Sequence, residues 1–301
     1  MIKSVTVTNY LGDRIKLELT RPEESGFAIK DIQGLGPGKA TVNTTEISTT
    51  DGGLYNSARL SSRNIVISVI FLWKDTIEDA RQLSYKYFPL KRKVTLLIET
   101  DNREAEIEGY VESNEPTIFS NMEGTDISII CPNPYFYARE SMTTVFSGIE
   151  PMFEFPFSNE SLVSPTLEMG SIQRASDKVV YYDGDAETGV TMTIHAIGEA
   201  SGITIYNVGT RESMTIDTDK IEQFTGSGID AGDDIIICTI PGSKSIVLQR
   251  DGVTTNILNC LDRNSDWFKL SKGDNVFAFT AEVGSNNLQF SIESNVVYEG
   301  I

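Results

Sequence analysis

The sequence predicts a mainly β protein in two domains, the first of which carries a single α-helix. Three features of the chain point there. Residues 64–73, Asn-Ile-Val-Ile-Ser-Val-Ile-Phe-Leu-Trp, are apolar at almost every position, which marks a strand in the middle of a sheet with cover on both faces. The period then changes over residues 75–88. Asp75-Thr-Ile-Glu78 is a helix start signal, and Ile77, Ala80, Leu83 or Ser84, Tyr87 and Phe88 recur at helical spacing until Pro89 stops the run. From about residue 140 onward, Gly, Asp, Ser and Thr turns recur about every 8–12 residues, the spacing of a sandwich or barrel.

Taken in order, the chain opens with two alternating strands, one holding Val5 and Val7 and the next Ile15, Leu17 and Leu19, joined by the turn Asn9-Tyr-Leu-Gly-Asp13. Residues 27–32 make a third strand, ended by Gly34-Leu-Gly-Pro-Gly38. That cluster lacks the Gly-Lys-Ser/Thr ending of a phosphate loop and no helix follows, so it reads as a tight turn or a flexible loop. Residues 39–50 are polar and threonine-rich, with Val42 and Ile47 as the large apolar residues. They suit an exposed arm or hairpin better than a core strand. Asp51-Gly-Gly53 turns the arm, and residues 57–63 lead into the apolar strand.

On the helix, Arg81, Gln82 and Lys86 are expected to stay free toward solvent or a neighbour. Lys91, Arg92 and Lys93 form a basic knot before the strand 94–100. Residues 104–112 alternate Ala105, Ile107 and Val111 against four acids, the pattern of an edge strand or a solvated face. The knot suits pairing with those carboxylates, or a subunit contact. After the strand 126–131 comes Pro132-Asn-Pro-Tyr-Phe-Tyr137, which cannot continue a central strand. The domain boundary is therefore set here, giving domains 1–138 and 139–301. The second domain offers strand-like runs at 178–182, 190–197, 203–208, 212–216, 234–240, 245–250, 275–282 and 287–292, with no helical period beyond a turn near 261–267.

Composition narrows the function. Its 301 residues, 40% hydrophobic and 23% charged, are ordinary for a folded soluble chain, and no run approaches the roughly 20 apolar residues of a membrane span. The N-terminus alternates at once and shows no signal peptide, so folding in a cytoplasm is expected. A formal charge of −18 opposes binding to nucleic acid or to an anionic membrane. Cys131, Cys238 and Cys260 lie far apart with no paired spacing, which argues against disulfides and a zinc site.

Catalytic readings fare poorly. His195 is the one histidine, in an alternating strand, so a multi-histidine metal site is impossible and a triad would rest on it alone. The acidic clusters Asp183-Gly-Asp-Ala-Glu187 and Asp230-Ala-Gly-Asp-Asp234 sit in glycine-rich turns and do not match a calcium loop; turn chemistry explains them better than paired-acid catalysis. Trp267 and Tyr182 are the candidates for stacking on a sugar ring. Against this, Trp267 with Phe268 can equally plug one end of the sandwich. No catalytic residue, metal site or cofactor is predicted.

The ordered set Gly34–Gly38, Arg59-Leu-Ser-Ser-Arg-Asn-Ile-Val-Ile, Ala80-Arg-Gln-Leu-Ser-Tyr-Lys-Tyr-Phe-Pro89, Cys131-Pro-Asn-Pro-Tyr-Phe136, Gly184-Asp-Ala-Glu-Thr-Gly189 and Trp267-Phe-Lys-Leu-Ser-Lys-Gly-Asp-Asn-Val-Phe-Ala-Phe279 resembles the distal tail protein family of siphophages that infect Gram-positive hosts. The resemblance spans nearly the whole chain. It implies an N-terminal β-sandwich with one helix, like that of tail-tube proteins, followed by a C-terminal galectin-like β-sandwich. It further implies a non-enzymatic virion protein, assembled in the host cytoplasm into a hexameric ring at the tail tip. Its partners would be the tail tube protein and the tail-associated hub protein, with the tape measure protein and receptor-binding protein as further neighbours, and neither nucleic acid nor membrane bound specifically. In such a ring Lys39, Thr41, Asn43 and Thr45 of the arm, with Lys91 and Arg92, are the candidate interface residues, and the acidic charge would let DNA pass without sticking. The alternatives from other classes are a carbohydrate-binding module or host-surface adhesin, a polysaccharide-degrading enzyme, and a tail-tube subunit.

Overall fold

The computed structural model describes residues 1–49, 51–72, 76–120, 122–151, 170–174 and 177–301. Trp73 of the apolar run and Asp75 of the helix start lie outside the described residues. The chain forms two compact units, Met1–Arg139 with Val297–Ile301, and Glu140–Val296. The last five residues thus return to the first unit, which a single boundary near residue 138 does not anticipate.

The first unit is built on strands β1 (Ile2–Asn9), β2 (Arg14–Glu18), β3 (Phe27–Gln33), β4 (Ala40–Glu46), β5 (Gly53–Leu60), β6 (Arg63–Phe71), β7 (Lys93–Thr100), β8 (Glu104–Pro116) and β9 (Gly124–Cys131), with helices α1 (Pro22–Ser25) and α2 (Ile77–Tyr87). Seven strands pair antiparallel in the order β3-β6-β9-β8-β7-β1-β2, while β4 and β5 pair only with each other. The long strand β8 belongs to both halves of the sheet. Its first half faces β7, with Ile107 opposite Leu96, and its second half faces β9, with Asn114 opposite Ile127. A register shift between Val111 and Ser113 leaves Glu112 as an extra residue, a bulge that bends the strand. Side chains from both halves (Val5, Leu17, Leu96 and Ile107 from one, Phe27, Ile65, Ile67 and Ile129 from the other) meet in one buried cluster. The acids of β8 are therefore the solvated face of a central strand and do not mark an edge.

Strand β6 lies between β3 and β9, as its composition demands, but its two faces are not equal. Ile65, Ile67, Val69 and Phe71 are fully buried, whereas Val66, Ser68 and Ile70 are only half-buried. Cover on both faces is thus incomplete. Helix α2 lies against β1 and β6, sending Ala80 and Ser84 inward with Phe88 behind them. Its cap is Thr76: Oγ1 accepts from the Asp79 amide at 3.2 Å and donates to the Asp79 carboxylate at 2.7 Å. Arg81 is not free, because it pairs with Glu78 at 3.2 Å and Glu123 at 2.9 Å, and Lys86 reaches Asp13 at 3.4 Å.

The second unit is entered through β10 (Phe136–Val145) and contains β11 (Ser147–Pro151), β12 (Gly170–Arg174), β13 (Asp177–Tyr182), β14 (Thr191–Ala196), β15 (Ile203–Asn207), β16 (Glu212–Ile216), α3 (Thr218–Thr225), β17 (Asp234–Cys238), β18 (Ser245–Arg250), β19 (Val253–Asn256), β20 (Gly273–Thr280) and β21 (Leu288–Tyr298). One sheet runs β19-β18-β17-β14-β21-β10 and the other β13-β20-β15-β16. Phe290 of the first sheet and Phe279 of the second meet at 5.4 Å, and Phe146 packs edge-on against Phe290 at 4.7 Å, so the sheets close as a sandwich. Helix α3 contradicts the expectation of no helix in this half. Asp217 caps it by accepting from the Lys220 amide at 3.1 Å, and Gly226 ends it at φ 86°. The turn expected within 261–267 is present at Arg263–Asn264, closed by the Ser265 amide donating to the Asp262 carbonyl at 3.1 Å, and a 3-10 turn at Leu258–Cys260 precedes it. Among the described residues no helix is long and apolar enough to cross a membrane.

Candidate functional site

The β4–β5 hairpin stands apart from both halves of the first unit's sheet. Every described residue from Lys39 to Arg59 is exposed, on both faces of the ribbon. A lone two-stranded hairpin is marginal in water, and its outer edges carry unpaired N–H and C=O groups that invite another strand. Pairing runs from Ala40 opposite Leu60 to Glu46 opposite Gly53, with a shift between Asn43 and Thr44 that leaves Asn56 as the extra residue. Side chains tie the ribbon across: Asn43 Nδ2 donates to Ser57 Oγ at 3.0 Å, and Asn56 Nδ2 donates to Thr45 Oγ1 at 2.6 Å.

The register sorts the arm into two faces. Thr41, Asn43 and Thr45 share the polar one with Arg59 and Ser57 across the ladder, so three of the sequence-predicted residues do come together. The other face pairs Ala40 with Leu60, Val42 with Ala58 and Thr44 with Tyr55. This apolar strip has no signature in the sequence, because residues 53–60 carry no burial period. Val42 is 55% exposed and Tyr55 67%, with Leu54 at 59% on the polar side. Large apolar groups presented together on an unsupported ribbon mark a surface meant to be covered.

Lys91 and Arg92 are not on the arm. They occupy the turn from α2 to β7, where the Lys91 amide donates to the Val111 carbonyl at 2.9 Å and the Arg92 guanidinium lies 5.2 Å from the Tyr10 ring. Lys93 alone pairs with a β8 acid, Glu108, at 2.5 Å, and that hydrogen bond raises its pKa.

The remaining sequence candidates make contacts within their own unit. Tyr182 is wholly buried and donates its hydroxyl to the Ala186 carbonyl at 2.8 Å, which removes it as a sugar-stacking surface. Trp267 is half-buried with the Lys244 ammonium 4.9 Å from its ring, beside the fully buried Phe268. His195 Nδ1 bonds its cross-strand neighbour Asp234 at 2.7 Å. In the cluster 230–234, Asp233 is nearly buried and accepts from Arg250 Nε at 2.8 Å, Arg250 Nη2 at 2.5 Å and the Asp230 amide at 3.0 Å. Burial pushes the Asp233 carboxyl up, yet the Arg250 and Asp230 hydrogen bonds and the Arg250 charge outweigh it and hold the group below the usual carboxylate range. Desolvation pushes the Cys131 thiol up to about 11, the state of an inert core cysteine. Among the described residues no group of three or more His, Cys, Asp or Glu side chains is arranged to hold a metal ion.

Among the described residues neither unit brings together a nucleophile, base and binding cleft; what the first unit displays is an exposed arm. Residues 183–293, inside the second unit, match the family model described as siphovirus-type tail component, C-terminal domain. The Dit protein of phage SPP1, described as a paradigm of the hub adsorption apparatus in Gram-positive infecting phages, has the same fold from end to end, with a TM-score of 0.65 at 14% identity, over 98% of this chain and 99% of that one. A chain of the phage P2 baseplate in its activated conformation with Ca aligns at a TM-score of 0.48 and 13% identity, over 97% of this chain and 98% of that one. No curated protein matches the sequence. Over residues 183–293 the chain is thus similar to a siphovirus-type tail component, and over nearly its whole length it has the fold of a phage Dit protein.

Proposed function

We propose that six copies of this chain close into a ring at the tail tip, which joins the tail tube protein above to the tail-associated hub protein below, with the tape measure protein and receptor-binding protein as further neighbours. The observation that carries the reading is the β4–β5 arm. A ribbon exposed on both faces, with open edges and an apolar strip, is suited to reach a neighbouring copy and be covered there. A ring of identical heterologous contacts gives every arm the same acceptor and leaves none bare. The acidic balance of −18 fits a passage for DNA, since lumen walls poor in cations would not retain phosphate.

Deleting residues 41–50 tests the proposal. The expected product is a folded monomer that no longer assembles, seen as a single-chain mass by native mass spectrometry with an unchanged far-UV circular dichroism spectrum. Intact rings from the deletion variant would overturn the arm's role. A lumen lined mainly by Lys and Arg in the assembled ring would overturn the reading of the charge.

A further inference from the structure

The arm is rooted on one buried cation. Arg63, the first residue of β6, is 6% exposed, and its acceptors are main-chain carbonyls from three distant stretches of chain. Nη1 donates to Gly34 at 2.6 Å and Gly36 at 2.5 Å, Nε to Pro134 at 2.7 Å, and Nη2 to Glu299 at 2.6 Å. The Phe136 ring lies 4.6 Å from the guanidinium carbon. A planar fork with five donors can serve four carbonyls in this way; a lysine ammonium with three cannot. Burying the charge costs solvation, which only this full set of dipoles offsets.

The identity of the three stretches gives the arrangement its meaning. Gly34 and Gly36 lie on the chain entering the arm, and Arg63 itself follows three residues after β5 leaves it. Pro134 and Phe136 belong to the segment by which the chain departs for the second unit, and Glu299 to the segment by which it returns. The same junction is closed by the Ile301 amide donating to the Leu35 carbonyl at 3.0 Å and by Arg103 over the Tyr298 ring at 4.3 Å. We propose that Arg63 is a latch that fixes the aim of the arm to both crossings of the chain between units, and so acts as a positioning residue for assembly. The inference rests on reading the arm as the contact between copies.

Arg63→Lys in the full chain tests it by amide hydrogen exchange and native mass together. The latch predicts exchange about tenfold or more faster in residues 34–38 and in Val297–Ile301, the rest of the first unit unchanged, and loss of most of the oligomer. Unchanged exchange in both stretches would overturn the latch. Faster exchange with a full complement of oligomer would overturn its role in assembly. If Arg63→Lys does not fold, Phe136→Leu, which keeps all four hydrogen bonds, replaces it: selective loosening of the same stretches supports the latch and uniform loosening overturns it. The exchange result needs no partner, so it separates a failed latch from a failed arm, which the 41–50 deletion reports.

Discussion

At the scale of single residues, the ion pair between Asp233 and Arg250 makes the clearest energetic statement. Asp233 is almost wholly buried and spends its carboxylate on a two-point contact with one guanidinium. Asp233→Asn leaves the Arg250 charge without its partner and should lower the stability of the second unit by about 1.5–3 kcal/mol, read from urea denaturation. The pH dependence has a defined sign. Because the folded carboxyl is held below its unfolded value, its contribution is present above the ordinary aspartate value of about 3.9 and is lost as pH falls through the lower, folded value. The variant should therefore show a flatter acid limb than the parent. An equally steep limb in both would assign the loss to other carboxylates.

At the scale of elements, the proposed ring assigns the contact between copies to the arm, and the strands around it set its position. Val42→Ser together with Tyr55→Ser keeps the ribbon's ladder and removes its apolar strip. Each buried side chain is worth about 1.5–3 kcal/mol to a contact, so the pair should dissociate the oligomer at concentrations where the parent is intact, with the monomer's melting temperature unmoved. Sedimentation velocity reads the outcome, and an unshifted distribution would show that the polar face carries the contact. The strands β1–β3 and β6–β9 were legible because burial on one face imposes alternation, as with Val5 and Val7 or Ile65 and Ile67. The strand β5 was not, since a ribbon exposed on both faces leaves no period to read. Helix α3 was missed for its shortness, although Asp217 and Gly226 carry its start and stop. Lys91 and Arg92, the other candidate interface residues, lie on a different turn, between α2 and β7. Arg63 gave no signal, because hydrogen bonds to distant carbonyls leave no local pattern.

At the scale of the whole molecule, the net charge of −18 sets copies against one another, so assembly has to rest on surfaces where that repulsion is weak. Lys39, Glu46, Asp51 and Arg59 balance one another on the arm, which suits such a surface. Screening should then favour the ring, which ought to dissociate as ionic strength falls from about 0.15 M toward 0.01 M, where the Debye length grows from about 8 to 30 Å. In the proposed assembly the second unit's sandwich, with Tyr182 inside it, would serve as a scaffold for neighbours in the tail. The most direct test of the account is the native mass of the purified full chain near 0.15 M salt. Six times the 33.2 kDa chain is the predicted mass. A monomer, or a closed assembly of any other number, would contradict it.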